Sequence, residues 1–152
     1  MRRAAPLALA FLLAACGSNG SSARIERFPL RITTAQGSAS LQVEIADSSD
    51  ERAQGLMGRT FLGADQGMAF LWDEPAEARF WMKNTLIPLQ IAFWDTNRRI
   101  VALIEMPPCT ADPCPKYGPN EATAGAVEAN TGWFTAHGVA VGDTVELDAG
   151  TS

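Results

Sequence analysis

The feature that most constrains this chain is a regular alternation of apolar and polar positions. Leu41, Val43 and Ile45 alternate with Gln42, Glu44 and Ala46, and Leu89, Ile91 and Phe93 alternate with Gln90 and Ala92. A period of two belongs to half-buried β-strands, because successive side chains on a strand point to opposite faces. A nearly continuous apolar run covers 100–106. It is entered through Asp95-Thr96-Asn97-Arg98-Arg99, whose turn-forming residues predict a hairpin with the strand ending at Trp94. Further short strands are expected at 27–34, 67–71, 126–129 and 144–147.

Two short helices interrupt this pattern. Ser48 followed three residues later by Glu51 is a capping box, with Ala53, Leu56 and Met57 on one face and Gly58 as the stop. A second helix is expected from about 132 to 137, capped by Asn130 or Thr131 and ended by Gly138. Neither is long enough to stand alone, so both must dock on the strands. The expected fold is mainly β: a single compact β-sandwich or barrel-like domain with two short helices.

The N-terminus gives an address. Arg2 and Arg3 precede an apolar stretch from Leu7 to Ala15, shorter than the roughly 18 to 20 residues a spanning helix needs. Leu13-Ala14-Ala15-Cys16-Gly17 resembles the lipobox of a bacterial lipoprotein. The resemblance implies a signal peptide over residues 1–15 and acyl chains on Cys16, the new N-terminus. Residues 16–23 read as a Gly/Ser tether spanning about 15 Å, and residues 24–148 as one β-rich domain. The expected location is the periplasmic side of a membrane. The outer membrane is favoured in a diderm, because Gly17 is not the Asp that resembles an inner-membrane retention signal.

With Cys16 assigned to lipid, the three cysteines leave Cys109 and Cys114 as a pair. Outside the cytoplasm, the proline-rich segment 107–115 reads as a loop stapled by a disulfide worth about 2 kcal/mol. One His and no second Cys pair argue against a metal site. Losing Arg2 and Arg3 turns 12 basic residues into 10 against 17 acidic ones, a net charge of −7 that disfavours nucleic acid. Gly125, Gly132, Gly138 and Gly142 follow no phosphate-binding fingerprint, so neither a nucleotide nor any other cofactor is expected.

Several uncommon words occur in order: Glu51-Arg52-Ala53-Gln54-Gly55-Leu56-Met57-Gly58-Arg59, Gly67-Met68-Ala69-Phe70, Phe80-Trp81-Met82-Lys83-Asn84-Thr85 with Ile87-Pro88-Leu89, and Gly132-Trp133-Phe134 with His137-Gly138 and Gly142-Asp143. Together they resemble the domain of unknown function 192 family, over most of residues 25–148. The resemblance implies a compact, largely β domain, often exported, with no agreed biochemical activity. Many relatives have Asp after the Pro-Leu pair, where this chain has Gln90, so a mechanism using that carboxylate does not transfer.

The segment 80–85, read as a strand, puts Trp81, Lys83 and Thr85 on one face and Phe80, Met82 and Asn84 on the other. Lys83 and Asn84 either satisfy backbone and acidic partners or orient a polar ligand in a groove where Trp81 offers a stacking surface. Arg52 is a solvent charge, an ion-pair partner tying helix to sheet, or an anion clamp. Trp133 is core or pocket wall, and His137 caps its helix or sits at the surface. Glu128 and Asp143 are either paired carboxylates or, more simply, solvated or ion-paired.

The function expected from this pattern is a lipid-anchored envelope domain that binds a small polar ligand or an envelope protein. The candidate groove has Arg52, Trp81, Lys83, Asn84, Trp133 and His137 around it. An envelope hydrolase or transferase using His137 or Glu128 with Lys83 and Asn84 is the rival, and a purely structural scaffold the third reading.

Overall fold

Eleven short elements follow one another in the computed structural model, which describes residues 25–149. The expected signal peptide, Cys16 and the tether lie outside these residues. The strands are β1 Phe28–Thr34, β2 Gly37–Ala46, β3 Gln66–Ala76, β4 Phe80–Trp81, β5 Leu89–Trp94, β6 Ile100–Met106, β7 Lys116–Tyr117, β8 Thr123–Asn130 and β9 Thr144–Leu147. The helices are α1 Ser49–Gln54 and α2 Trp133–Ala136.

Seven strands make one sheet in the order β6-β5-β8-β3-β2-β1-β9, while β4 and β7 pair separately. All neighbours run antiparallel except β2 and β3. A parallel pair needs a crossover rather than a hairpin, and here the crossover carries α1. The sheet curls into a half-barrel. Its edges meet around an isolated bridge between Arg99 and Thr144. There Ile100 N donates to Asp143 O, Gly142 N to Ile100 O and Val145 N to Arg98 O, each at 2.8 Å.

One core cluster combines residues from both edges, such as Val145 of β9 and Ile100 of β6, so it fills the concave face. Trp133 and Phe134 of α2 plug it. A second cluster lies on the convex face of β3, β5 and β8, around Met68, Phe70, Ile91, Phe93 and Ala126, and is covered by the β4–β7 pair and the segment after α1. This two-sided covering explains a departure from the expected alternation: all six residues of β5 are buried, Gln90 and Ala92 included. In β1 the alternation survives, with Leu30 and Ile32 buried and Arg31 and Thr33 exposed.

The hairpin turn forms as expected: Asp95 Oδ1 accepts from Asn97 N at 2.8 Å and Arg99 N at 2.9 Å. The capping box of α1 is also present, with Ser48 and Glu51 bonded reciprocally. The helix stops earlier than expected, at Gly55, whose φ of 46° suits a residue without Cβ. Ala53 is therefore exposed and Leu56 is buried from the turn that follows. The second helix lacks the expected side-chain cap. It enters directly from β8 through left-handed Gly132, while Asn130 Nδ2 donates instead to Leu62 O and Gly63 O, and Thr131 Oγ1 to the Glu105 carboxylate.

Candidate functional site

Period two along β3 sets Met68, Phe70 and Trp72 on the convex face, and β4 delivers Phe80 onto them. The Phe80 ring meets Phe70 edge-on at 4.8 Å, Phe93 at 5.5 Å and Trp72 at 6.4 Å. A cavity of about 440 Å³ opens between α1 with its following turn, the aromatic residues of β3 and β4, Lys116 of β7 and Glu128 of β8.

Local chemistry holds α1 over this space. Its capping box fixes the first turn, and Glu51's carboxyl is held below its usual range, first by the Ser48 hydroxyl and then by the Ser48 and Asp47 backbone N–H groups. Arg52 then ties the helix to the sheet, with Nη1 donating to Asp47 O and, at 3.0 Å, to Leu71 O. At the C-terminal end Gly55 rests on the Phe70 ring: an added Cβ would stand 3.5 Å from it.

Glu128 is the acidic residue of the lining. In the sheet it lies opposite Met68 on one side and Ile91 on the other, and it is only 4% exposed. Gly67 lets β3 approach here, since a Cβ on it would run into the Glu128 carbonyl oxygen. Among the described residues no side-chain hydrogen bond or ion pair reaches the Glu128 carboxyl. Burial pushes its pKa from 4.5 up to about 8, because an ionised carboxylate without water or a partner is costly. Near pH 7 the group is predominantly the neutral acid, able to donate a hydrogen bond into the cavity or to give up its proton to a ligand.

This corrects the sequence expectation that Glu128 is solvated or ion-paired. Nor does it pair with Asp143, whose Oδ2 accepts from Ala140 N at 2.8 Å in the turn before β9. The signal available in the sequence was a lone Glu inside Ala126-Val127-Glu128-Ala129, a strand otherwise apolar. Nothing in it identified the cavity that Glu128 shares with Phe70, Trp72 and Phe80.

The structure divides the candidate groove residues into three places. Arg52 and Trp81 line the cavity, Trp81 half exposed at its rim. Lys83 and Asn84 lie just beyond, because 82–85 is a turn and not a strand: Thr85 N bonds to Met82 O at 3.2 Å, and Asn84 has a φ of 57°. The expected split of this segment into two strand faces therefore fails, leaving Thr85 buried while Trp81 is exposed. Lys83 Nζ lies 5.8 Å from the Trp81 ring centroid and 3.2 Å from Asp112 Oδ2, and Asn84 O accepts from Gly58 N at 2.9 Å.

Trp133 and His137 are on the concave side, separated from the cavity by the sheet. Trp133 is buried, donates from Nε1 to Asp65 Oδ1 at 3.0 Å and stacks on His137 at 4.2 Å. His137 is the C-cap of α2, with Nδ1 2.8 Å from Trp133 O. Gln90 is buried opposite Ala129 of the concave core, and among the described residues its Oε1 has no partner.

Cys109 and Cys114 form a disulfide with a Cα separation of 5.6 Å. The ring they close contains Asp112, the partner of Lys83, and leads directly into Lys116 of the cavity wall. The staple therefore positions part of the rim. Among the described residues no group of three or more His, Cys, Asp or Glu side chains is arranged to hold a metal, and no helix is long and apolar enough to cross a membrane.

A family profile described as an uncharacterized ACR, domain of unknown function 192, matches residues 31–147. The chain belongs to this family. A crystal structure of a protein of unknown function from Novosphingobium aromaticivorans DSM 12444 is similar at 34% identity and a TM-score of 0.75, covering 83% of this chain and 89% of that one. A second, from Sinorhizobium meliloti 1021 and described as a proposed transcription regulator, has 32% identity and a TM-score of 0.72, with 80% and 93% covered. No curated protein matches the chain. The family residues thus span both core clusters and the cavity, and the family carries no assigned activity.

Proposed function

We propose that this protein is a lipid-anchored envelope domain that binds a small ligand in the cavity between α1 and the β4–β7 pair. The observation that carries the reading is Glu128, a buried carboxyl with no partner among the described residues, in the wall of an aromatic cavity. Buried polar groups are almost always satisfied, and an unsatisfied one facing a cavity of small-molecule size is where a ligand gains most. Anchoring is supported by Arg2, Arg3 and the lipobox-like segment ending at Cys16. An acidic envelope protein is a poor match for nucleic acid, so the regulator description of the Sinorhizobium protein is not carried over.

An enzyme using Glu128 as general acid is the second reading, favoured by the raised pKa of about 8. It is the weaker one. Among the described residues the lining holds one carboxyl and no His, Cys or Ser, and His137 lies across the sheet.

The test is a fragment screen followed by NMR. Bound fragments are expected to shift the indole signals of Trp72 and Trp81 and the carboxyl signal of Glu128 together. Shifts confined to other surfaces would remove the reading. For the anchor, Cys16→Ser is expected to move the protein from the membrane fraction to the soluble one; unchanged membrane association would refute lipidation at Cys16.

A further inference from the structure

The charges around the cavity are sorted by depth. Glu128, 4% exposed, is at the bottom, within the sheet. The remaining charged residues of the lining are Arg52, Arg79 and Lys116, all cationic. Arg79 and Lys116 are exposed, Arg52 half-buried, and together with Trp81 they mark the mouth. Arg79 is partly engaged, with Nη1 donating to Pro119 O and Nη2 to Asn120 Oδ1 at 2.8 Å. Arg52 uses Nη1 on two carbonyls. Among the described residues no hydrogen bond or ion pair reaches the Lys116 ammonium, which β4–β7 pairing sets beside Trp81.

We infer that the ligand is a zwitterion, with an ammonium group entering toward Glu128 and a carboxylate or other anionic group held at the mouth by Lys116 and Arg52. The inference rests on the cavity being a binding site. A purely cationic ligand must pass three positive side chains to reach the one acid. A purely anionic ligand is welcomed at the mouth but brings no charge that lets Glu128 ionise. A ligand with both charges satisfies both ends, and the walls suit its ammonium, since Phe70, Trp72 and Phe80 present aromatic faces and edges around the path. A buried carboxylate is stable only with a close cation, so the ammonium converts Glu128 from the neutral acid to the ion. One proton leaves Glu128 for the buffer and one ion pair forms.

The experiment is calorimetric titration of the full chain near pH 7 with ε-aminocaproate, hexylamine, caproate and a neutral hexose, in buffers of different ionisation enthalpy. ε-Aminocaproate is expected to bind about tenfold or more tightly than either singly charged analogue, with release of a proton. Glu128→Gln is expected to abolish the proton release and weaken ε-aminocaproate. Lys116→Met, a change at an exposed side chain that leaves the core untouched, should weaken ε-aminocaproate and caproate but not hexylamine. Caproate or the hexose binding as tightly as ε-aminocaproate, without proton release, would overturn the ligand class and leave the cavity as a site. A cavity that takes none of these probes, nor any fragment in the NMR screen, would overturn both the class and the site.

Discussion

Glu44 and Glu128 flank the same residue, Met68, from the two strands beside β3, and both are almost completely buried on the convex face. Their surroundings differ. Arg59 grips Glu44 with two hydrogen bonds, at 3.0 and 2.5 Å, and Arg27 adds a third contact at 3.3 Å. In return Glu44 raises the pKa of Arg59, chiefly through the side-chain hydrogen bond. Those arginines come from the segment before β1 and from the crossover after α1. Glu128 lies on the other side of β3, in the lining of an aromatic cavity, and receives no cation from the described residues. The comparison teaches that a carboxylate in a sheet is structural or available according to what crosses over it. Removing water without supplying charge leaves a group that a ligand can complete.

The comparison predicts opposite signs for the same chemical change. The largest effect belongs to Glu128→Gln. A carboxyl whose pKa is 4.5 unfolded and about 8 folded binds more protons in the folded state between those values. The contribution of Glu128 to stability is then full below pH 4.5 and falls as pH rises toward 8, by up to about 1.4 kcal/mol per pH unit. Urea unfolding measured across this window should show that decline in the wild type and lose it in Glu128→Gln, which becomes the more stable protein at pH 8. Parallel curves for the two proteins would break the comparison by revealing a hydrated or partnered carboxyl.

Glu44→Gln is expected to go the other way, destabilising by about 2 kcal/mol at pH 7, because Arg59 and Arg27 lose their charged acceptor. Equal stability by the same urea measurement would mean that those half-buried guanidiniums are served by water. The smallest effect should come from Lys83→Ala. Its pair with Asp112 is exposed on both sides, so the loss should stay below about 0.5 kcal/mol and shrink further in high salt. A larger, salt-resistant loss in thermal unfolding would show that the stapled loop depends on this pair for its position.

Features set by a few consecutive residues were legible. The bounds of β9 coincide with the expected 144–147, the Asp95–Arg99 turn and the Ser48–Glu51 capping box are as read, and Cys109 meets Cys114. The site was only half legible. Arg52 and Trp81 converge on one cavity, yet Trp133 and His137 fall on the opposite side of the sheet, because β8 passes under the core and turns at Gly132 to deliver α2 to the concave face. The run from Phe80 to Thr85 looked like a strand by composition. The bond from Thr85 N to Met82 O and the positive φ of Asn84 made it a turn.

By itself the sequence determined the mainly β character, the positions of hairpin, helix cap and cysteine pair, and family membership, since each depends on periodicity or on residues near one another along the chain. Tertiary structure alone decided that β2 and β3 run parallel, that β5 is covered on both faces, and that Glu44 meets arginines while Glu128 shares a cavity with aromatic rings. These are consequences of which distant segments cross the convex face. Two glutamates in similar strands acquire different chemistry there because charge state depends on the three-dimensional surroundings of a carboxyl and not on its neighbours in the chain.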